Sequence, residues 1–204
     1  SASIVSMGTL ALQSISAAQI KTISTNVIAA LSSTQVNALT TAQMAAMTST
    51  QVGKLDLDAV HNLTTANLAA LKASQLKGLS TTQMEELTST QSAELTTAQL
   101  KGLSGTQLNH LSAAATKALD SDQIKALSSA QLNGLSDEAI QSIDTEDLNN
   151  ISNSVLKKLS TAFIEKLTAD QIQDLDETKI AALSSSQIAA IETDDIASLT
   201  DGQL

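Results

Sequence analysis

The sequence has no cysteine, proline, tryptophan, tyrosine or arginine, and Phe163 is its single aromatic residue. Without cysteine there can be no disulfide, no thiolate nucleophile and no Cys-ligated zinc. Aromatics ordinarily fill a core with large area at low entropy cost, so this interior must be assembled from Leu, Ile, Val, Met and Ala alone. Positive charge is scarce: 11 lysines stand against 21 acids, a formal net charge of −10. That balance argues against a nucleic-acid partner, which needs basic patches, and against anionic membrane surfaces. No apolar run approaches the roughly 18 residues of a membrane span. The opening Ser1-Ala2-Ser3 carries neither an initiator Met nor a basic signal region, so the chain reads as a piece of something longer.

What is present is a repeat. Stepping by eight from Met7 gives Ile15, Ile23, Leu31, Leu39, Met47 and so on to Leu199, 25 positions that are all Leu, Ile or Met, with no insertion. With this residue at position a of an octad a–h, position b is Ser, Thr or Asp in 22 of 25 units; the exceptions are Gly8, Lys72 and Glu192. Position e is Gln in 14 units, and f is Leu, Ile, Val or Met in all but two, Ser92 and Thr116. Positions c, d, g and h are small or polar except Leu57 and Leu10. The consensus is Leu-Ser-Thr-x-Gln-Ile-x-Ala.

No continuous helix accommodates this pattern, because eight residues at about 3.6 per turn overshoot two turns by roughly 80° and the a positions would spiral. A strand fails too, since a and f differ by five and would face opposite sides. A helix that restarts in every octad fits. Ser, Thr or Asp at b is then the N-cap. Gln at e is N3 and completes a capping box, while a and f form a hydrophobic staple as N′ and N4. Charge placement agrees: 16 of the 21 acids lie at b–e, and nine of the 11 lysines at g or h. Acids at the start and cations at the end complement each helix dipole. Helices this short do not persist alone, so stability has to come from stacking, as in other solenoids.

The expected fold is therefore all-α: a solenoid of about 25 very short helices, one per octad of residues 1–204, wound as one continuous array into a narrow rod. The a and f side chains make the interior, and small residues at d and h allow close helix approach. Ser, Thr, Gln, Asn and Lys lie outside, so that Lys101 and Asn133 are surface residues of little energetic weight. Asp122, Glu146, Asp170 and Asp194 share position d at intervals of 24, and Lys77, Lys101 and Lys125 share g at the same interval, which hints at three octads per superhelical turn.

Little here resembles a chemical site. His61 and His110 have no second His or Cys at helical ligand spacing and read as solvated surface residues. The clusters Asp144/Glu146/Asp147, Asp174/Asp176/Glu177 and Glu192/Asp194/Asp195 are oxygen-rich in the way calcium sites are, but they lack EF-hand or nonapeptide spacing and read as helix caps. No Ser stands in a nucleophile elbow, and there is no phosphate loop. Met44, Met47 and Met84 fall at a or f, in the core, and Phe163 replaces Gln at e as a packing residue. No catalytic, cofactor-binding or metal-ligating residue is assigned. Before Asp56 the only charges are Lys21 and Lys54, leaving a nearly neutral Ser/Thr/Ala/Gln surface at the start.

The Leu-Ser/Thr-x-x-Gln-apolar octads, as in Leu31 to Met47 and Leu79 to Leu87, resemble the repeat arrays of very large secreted or surface-anchored bacterial proteins of the adhesin and type I-secreted kind. That resemblance implies an extracellular or cell-surface setting and a spacer or stalk role, and it brings no functional residue with it. The alternative is a binding module whose regular Ser/Thr/Gln surface meets a polymer, another cell-surface protein or ice. The first partners of each repeat are in either case its neighbours in the same chain.

Overall fold

The computed structural model describes residues 2–191, 196, 199, 200, 202 and 203. These residues form 24 helices of four to six residues each, from Ala2–Val5 to Ser185–Ile188, and no strand. After the first, every helix begins where the octad places it. The N-cap falls at b each time, from Gly8 to Ser184, with ψ in the extended range. In the helix Gly105–Asn109, the Ser104 hydroxyl accepts from the Gln107 N–H at 3.1 Å, while the Gln107 Oε1 accepts from the Ser104 N–H at 3.1 Å. These two bonds satisfy two of the N–H groups that a helix start leaves unpaired. Lys72 has no acceptor at this position, yet Gln75 still accepts its backbone N–H at 2.7 Å.

Six helices run up to the next a residue, which turns extended, and the others stop one or two residues sooner, at f or g. Leu103 has φ −73° and ψ 148°, and its N–H still reaches the Leu100 carbonyl at 3.0 Å. Among the described residues none has a positive φ, so no helix uses the left-handed glycine stop.

Every substantial helix–helix contact joins one helix to the third after it, as Ala73–Leu76 joins Thr97–Gly102 and Ser121–Lys125 joins Thr145–Asn150. Three octads, 24 residues, thus make one coil, and the helices stack into three columns along the rod. The 24-residue interval of like charges along the sequence is the length of this coil. The a and f side chains line a single core cluster running from Ile20 to Ile191. Coils approach most closely where position h lies over position c of the coil before. A Cβ on Gly102 would come 2.6 Å from the Ala73 Cβ, and one on Gly134 would come 3.0 Å from the Gly105 Cα. The small residues at h matter as expected, but their neighbour is c rather than d.

Candidate functional site

The most regular feature beyond the core is a ladder of glutamine amides. Eleven of the e glutamines are buried. Each donates both N–H bonds of its amide to the coil beneath: one to the f carbonyl 31 residues earlier, one to the a carbonyl 28 residues earlier. For Gln99 these are Leu68 at 2.9 Å and Leu71 at 2.7 Å, and its Oε1 takes the Thr96 N–H at 2.8 Å. One side chain therefore starts its own helix and satisfies carbonyls at the end of another, where α-helices leave such acceptors unpaired. This corrects the reading that glutamine belongs to the outer surface: the capping role was right, but the donors point inward between coils.

At three of the e positions without Gln, asparagine at g of the preceding coil takes over part of its work. Asn133 accepts the Ser160 N–H at 2.8 Å and donates to the Lys158 carbonyl at 3.2 Å, beside Phe163. Asn149 does the same for Asp176 and Asp174, beside Lys179, and Asn37 for Thr64 and Asn62, beside Asn67. The fourth g asparagine, Asn109, stands 30 residues before Ala139, again an e position without Gln, although its Oδ1 is buried with no hydrogen-bond partner. Asn133 is exposed, as expected, and in addition caps the start of the helix in the next coil. The only sequence signal for this was the 30-residue offset, which has meaning only once the coil length is known.

The residues that could carry chemistry are distributed as follows. The superhelix brings both histidines to one column: His61 Nδ1 lies 3.3 Å from Glu86 Oε2, and His110 Nδ1 lies 2.7 Å from Glu85 Oε1. Reading along single helices could not find this, because the partners are 25 residues apart. Lys166 pairs with Asp137 at 2.7 Å, and that hydrogen bond, followed by the Asp137 charge, holds the exposed ammonium above its ordinary pKa. Asp144 and Asp176 stand at N-cap positions, but neither side chain makes the cap hydrogen bond, and Asp147 is buried and accepts from the Ser121 hydroxyl. Among the described residues no three His, Asp or Glu side chains converge as metal ligands would. Glu192, Asp194 and Asp195 lie outside the described residues.

Met44, Met47, Met84 and Phe163 are all in the core. The two polar exceptions at f, Ser92 and Thr116, are stacked one coil apart, and both hydroxyls are buried without a hydrogen-bond partner. Shallow open grooves run along the corners between columns; one is lined by Lys101, Ser104, Lys125, Ser128 and Val155. None of the described helices is long and apolar enough to cross a membrane.

Two comparisons bear on identity. The family model of the ALTTAQ repeat matches residues 18–49, 25–57, 60–97 and 93–129, which together span more than half of the chain. No curated protein matches it.

Proposed function

We propose that this chain, which belongs to the ALTTAQ repeat family, serves as a non-catalytic spacer or stalk segment within a large exported bacterial surface protein. One observation carries the reading: each helix makes its substantial contacts only with the helices one coil away. A solenoid built that way derives its stability from local terms and nearest-neighbour interfaces, so length can be adjusted by whole coils without redesigning a core. The side chains with the richest hydrogen-bonding, the e glutamines, are consumed in joining coils. That leaves Ser, Thr, Ala and scattered charges for the outside and weakens the alternative of a Ser/Thr/Gln binding surface. The extracellular or cell-surface setting rests on the resemblance of the octads to arrays of secreted and surface-anchored proteins. We read no nucleic acid and no inserted membrane segment as partners, in keeping with the net charge of −10.

The test is to place the chain between two reporter domains and measure their separation by energy transfer while coils are added or removed. A spacer gives a separation that tracks coil number, whichever coils are removed. Saturable binding of the isolated chain to a glycan array or to ice, lost on removing one particular coil, would replace the spacer reading with the binding one. Protease accessibility on intact source cells tests the surface location separately.

A further inference from the structure

We propose that one column of the rod is a self-association face, on which a second copy of this chain docks antiparallel. The column starts with the uncharged helices Ala2–Val5 and Thr25–Ala29 and continues with Ser49–Val52, Ala73–Leu76, Thr97–Gly102, Ser121–Lys125, Thr145–Asn150 and Ala169–Gln173. Its charges are segregated end to end. The octads 47–54, 71–78 and 95–102 hold Lys54, Lys72, Lys77 and Lys101 and no acid. The octads 143–150 and 167–174 hold Asp144, Glu146, Asp147, Asp170 and Asp174 and no lysine. Octad 119–126, between them, has both signs. All of these groups except the buried Asp147 are exposed.

The other two columns are not divided end to end: the one with both histidines is acidic at 55–62 and 79–86 and basic at 151–158, but acids return beside Lys179 at Asp176 and Glu177, and the third alternates in sign along its length. They also contain all the ion pairs found among the described residues: His61–Glu86, His110–Glu85 and Lys166–Asp137. The segregated column pairs none of its lysines with its own acids.

The spacing makes this face complementary to itself. Lys77, Lys101 and Lys125 form a ladder at g, one per coil, and Asp122, Glu146 and Asp170 form a ladder at d with the same step. Positions d and g are one turn apart on the outer stripe of each helix, an offset of about 4.5 Å along the helix that a lysine side chain spans. A two-fold axis through the helix Ser121–Lys125 sets Lys77 against Asp170, Lys101 against Glu146 and Lys125 against Asp122, and each pair recurs by symmetry. A parallel arrangement in the same register would set lysine against lysine. Because exposed pairs are individually weak and are screened by salt, the dimer is a low-affinity one that salt dissolves.

Sedimentation equilibrium of the whole chain across salt concentrations tests this, with circular dichroism confirming that each variant remains helical. The expected result is a dimer whose Kd weakens by about tenfold or more from low to high salt. The triple variants Lys77→Glu/Lys101→Glu/Lys125→Glu and Asp122→Lys/Glu146→Lys/Asp170→Lys should each be monomeric alone and dimerise when mixed. Deleting the single octad Leu111–Ala118 keeps every cap in phase but turns the acidic half onto a different column, and should abolish dimerisation while leaving helicity intact. A chain that stays monomeric at low salt, or dimers that survive the triple substitutions or the octad deletion, would overturn the proposal. Binding of heparin to the lysine half without self-association would do so as well, by assigning that face to a polyanion.

Discussion

Glutamine and glutamate are equally good at N3 of a capping box, yet none of the 25 e positions is Glu. The reason is the two donors: a carboxylate can accept the N-cap N–H but presents only lone pairs to the carbonyls of the coil beneath. Gln99→Glu should therefore place a buried carboxylate against the Leu68 and Leu71 carbonyls and cost about 3 kcal/mol or more at neutral pH. Burial raises a carboxyl's folded-state pKa above its unfolded value, and the protonated form regains one donor. The variant should consequently recover part of its stability as pH falls, the opposite of normal acid destabilisation; urea titrations at two pH values would show it, and an unchanged midpoint at neutral pH would mean the ladder is dispensable. The absence of Glu was in the sequence, and it signalled that donors were needed, but not whose acceptors they met. Asn133 was illegible for the same reason, since its partners at Ser160 and Lys158 lie on another coil. Asn133→Ala should cost about 1 kcal/mol, and Asn26→Ala, at an exposed d position, visibly less by the same titration.

On the scale of the element, helix starts were fully readable, because an N-cap is a local event between residues three apart. The a–b pair that follows each helix was readable only as the next start signal. The stacking of h on c was not, since it depends on how far one coil rises over another. Gly78 lies where this matters most: a Cβ there would overlap the Ser49 carbonyl oxygen of the coil beneath. Alanine ordinarily favours a helical segment over glycine by up to about 1 kcal/mol. Here Gly78→Ala should reverse that sign and destabilise by about 1–3 kcal/mol, because backbone has to move to admit the methyl group. Gly8, around which nothing would touch an added Cβ, is the internal control; because it is an N-cap, where alanine is itself unfavourable, the control variant is Gly8→Ser, which supplies a cap hydroxyl and should hold or slightly raise the thermal midpoint. Equal shifts for the two variants would mean that the coils are not packed as tightly as the Gly78–Ser49 contact requires.

For the whole molecule, the fold class followed from the octad, while the coil length rested on charge spacing alone until the helix contacts fixed it at three octads. That number sets the size of a neutral edit. Deleting Leu79 through Gly102 removes one coil, joins Gly78 to Leu103, and returns every later residue to its own column with a normal octad junction. Each e glutamine beyond the cut still finds an f and an a carbonyl on the coil beneath, because those offsets are properties of the repeat and not of particular residues. The shortened chain should fold, keep its helical signal per residue, and lose about 8–10 Å of length, the usual separation of packed helices, as read by small-angle scattering. Deleting only 20 residues, Leu79 through Ala98, joins Gly78 to Gln99 and throws caps, staples and amide ladder out of phase. That smaller excision should do the greater damage, exposing a and f side chains at the junction and lowering the melting temperature and helicity. A globular domain with long-range contacts would show the reverse order, with the larger deletion the more harmful, and that outcome would remove the basis for treating the coil as the unit of both fold and function.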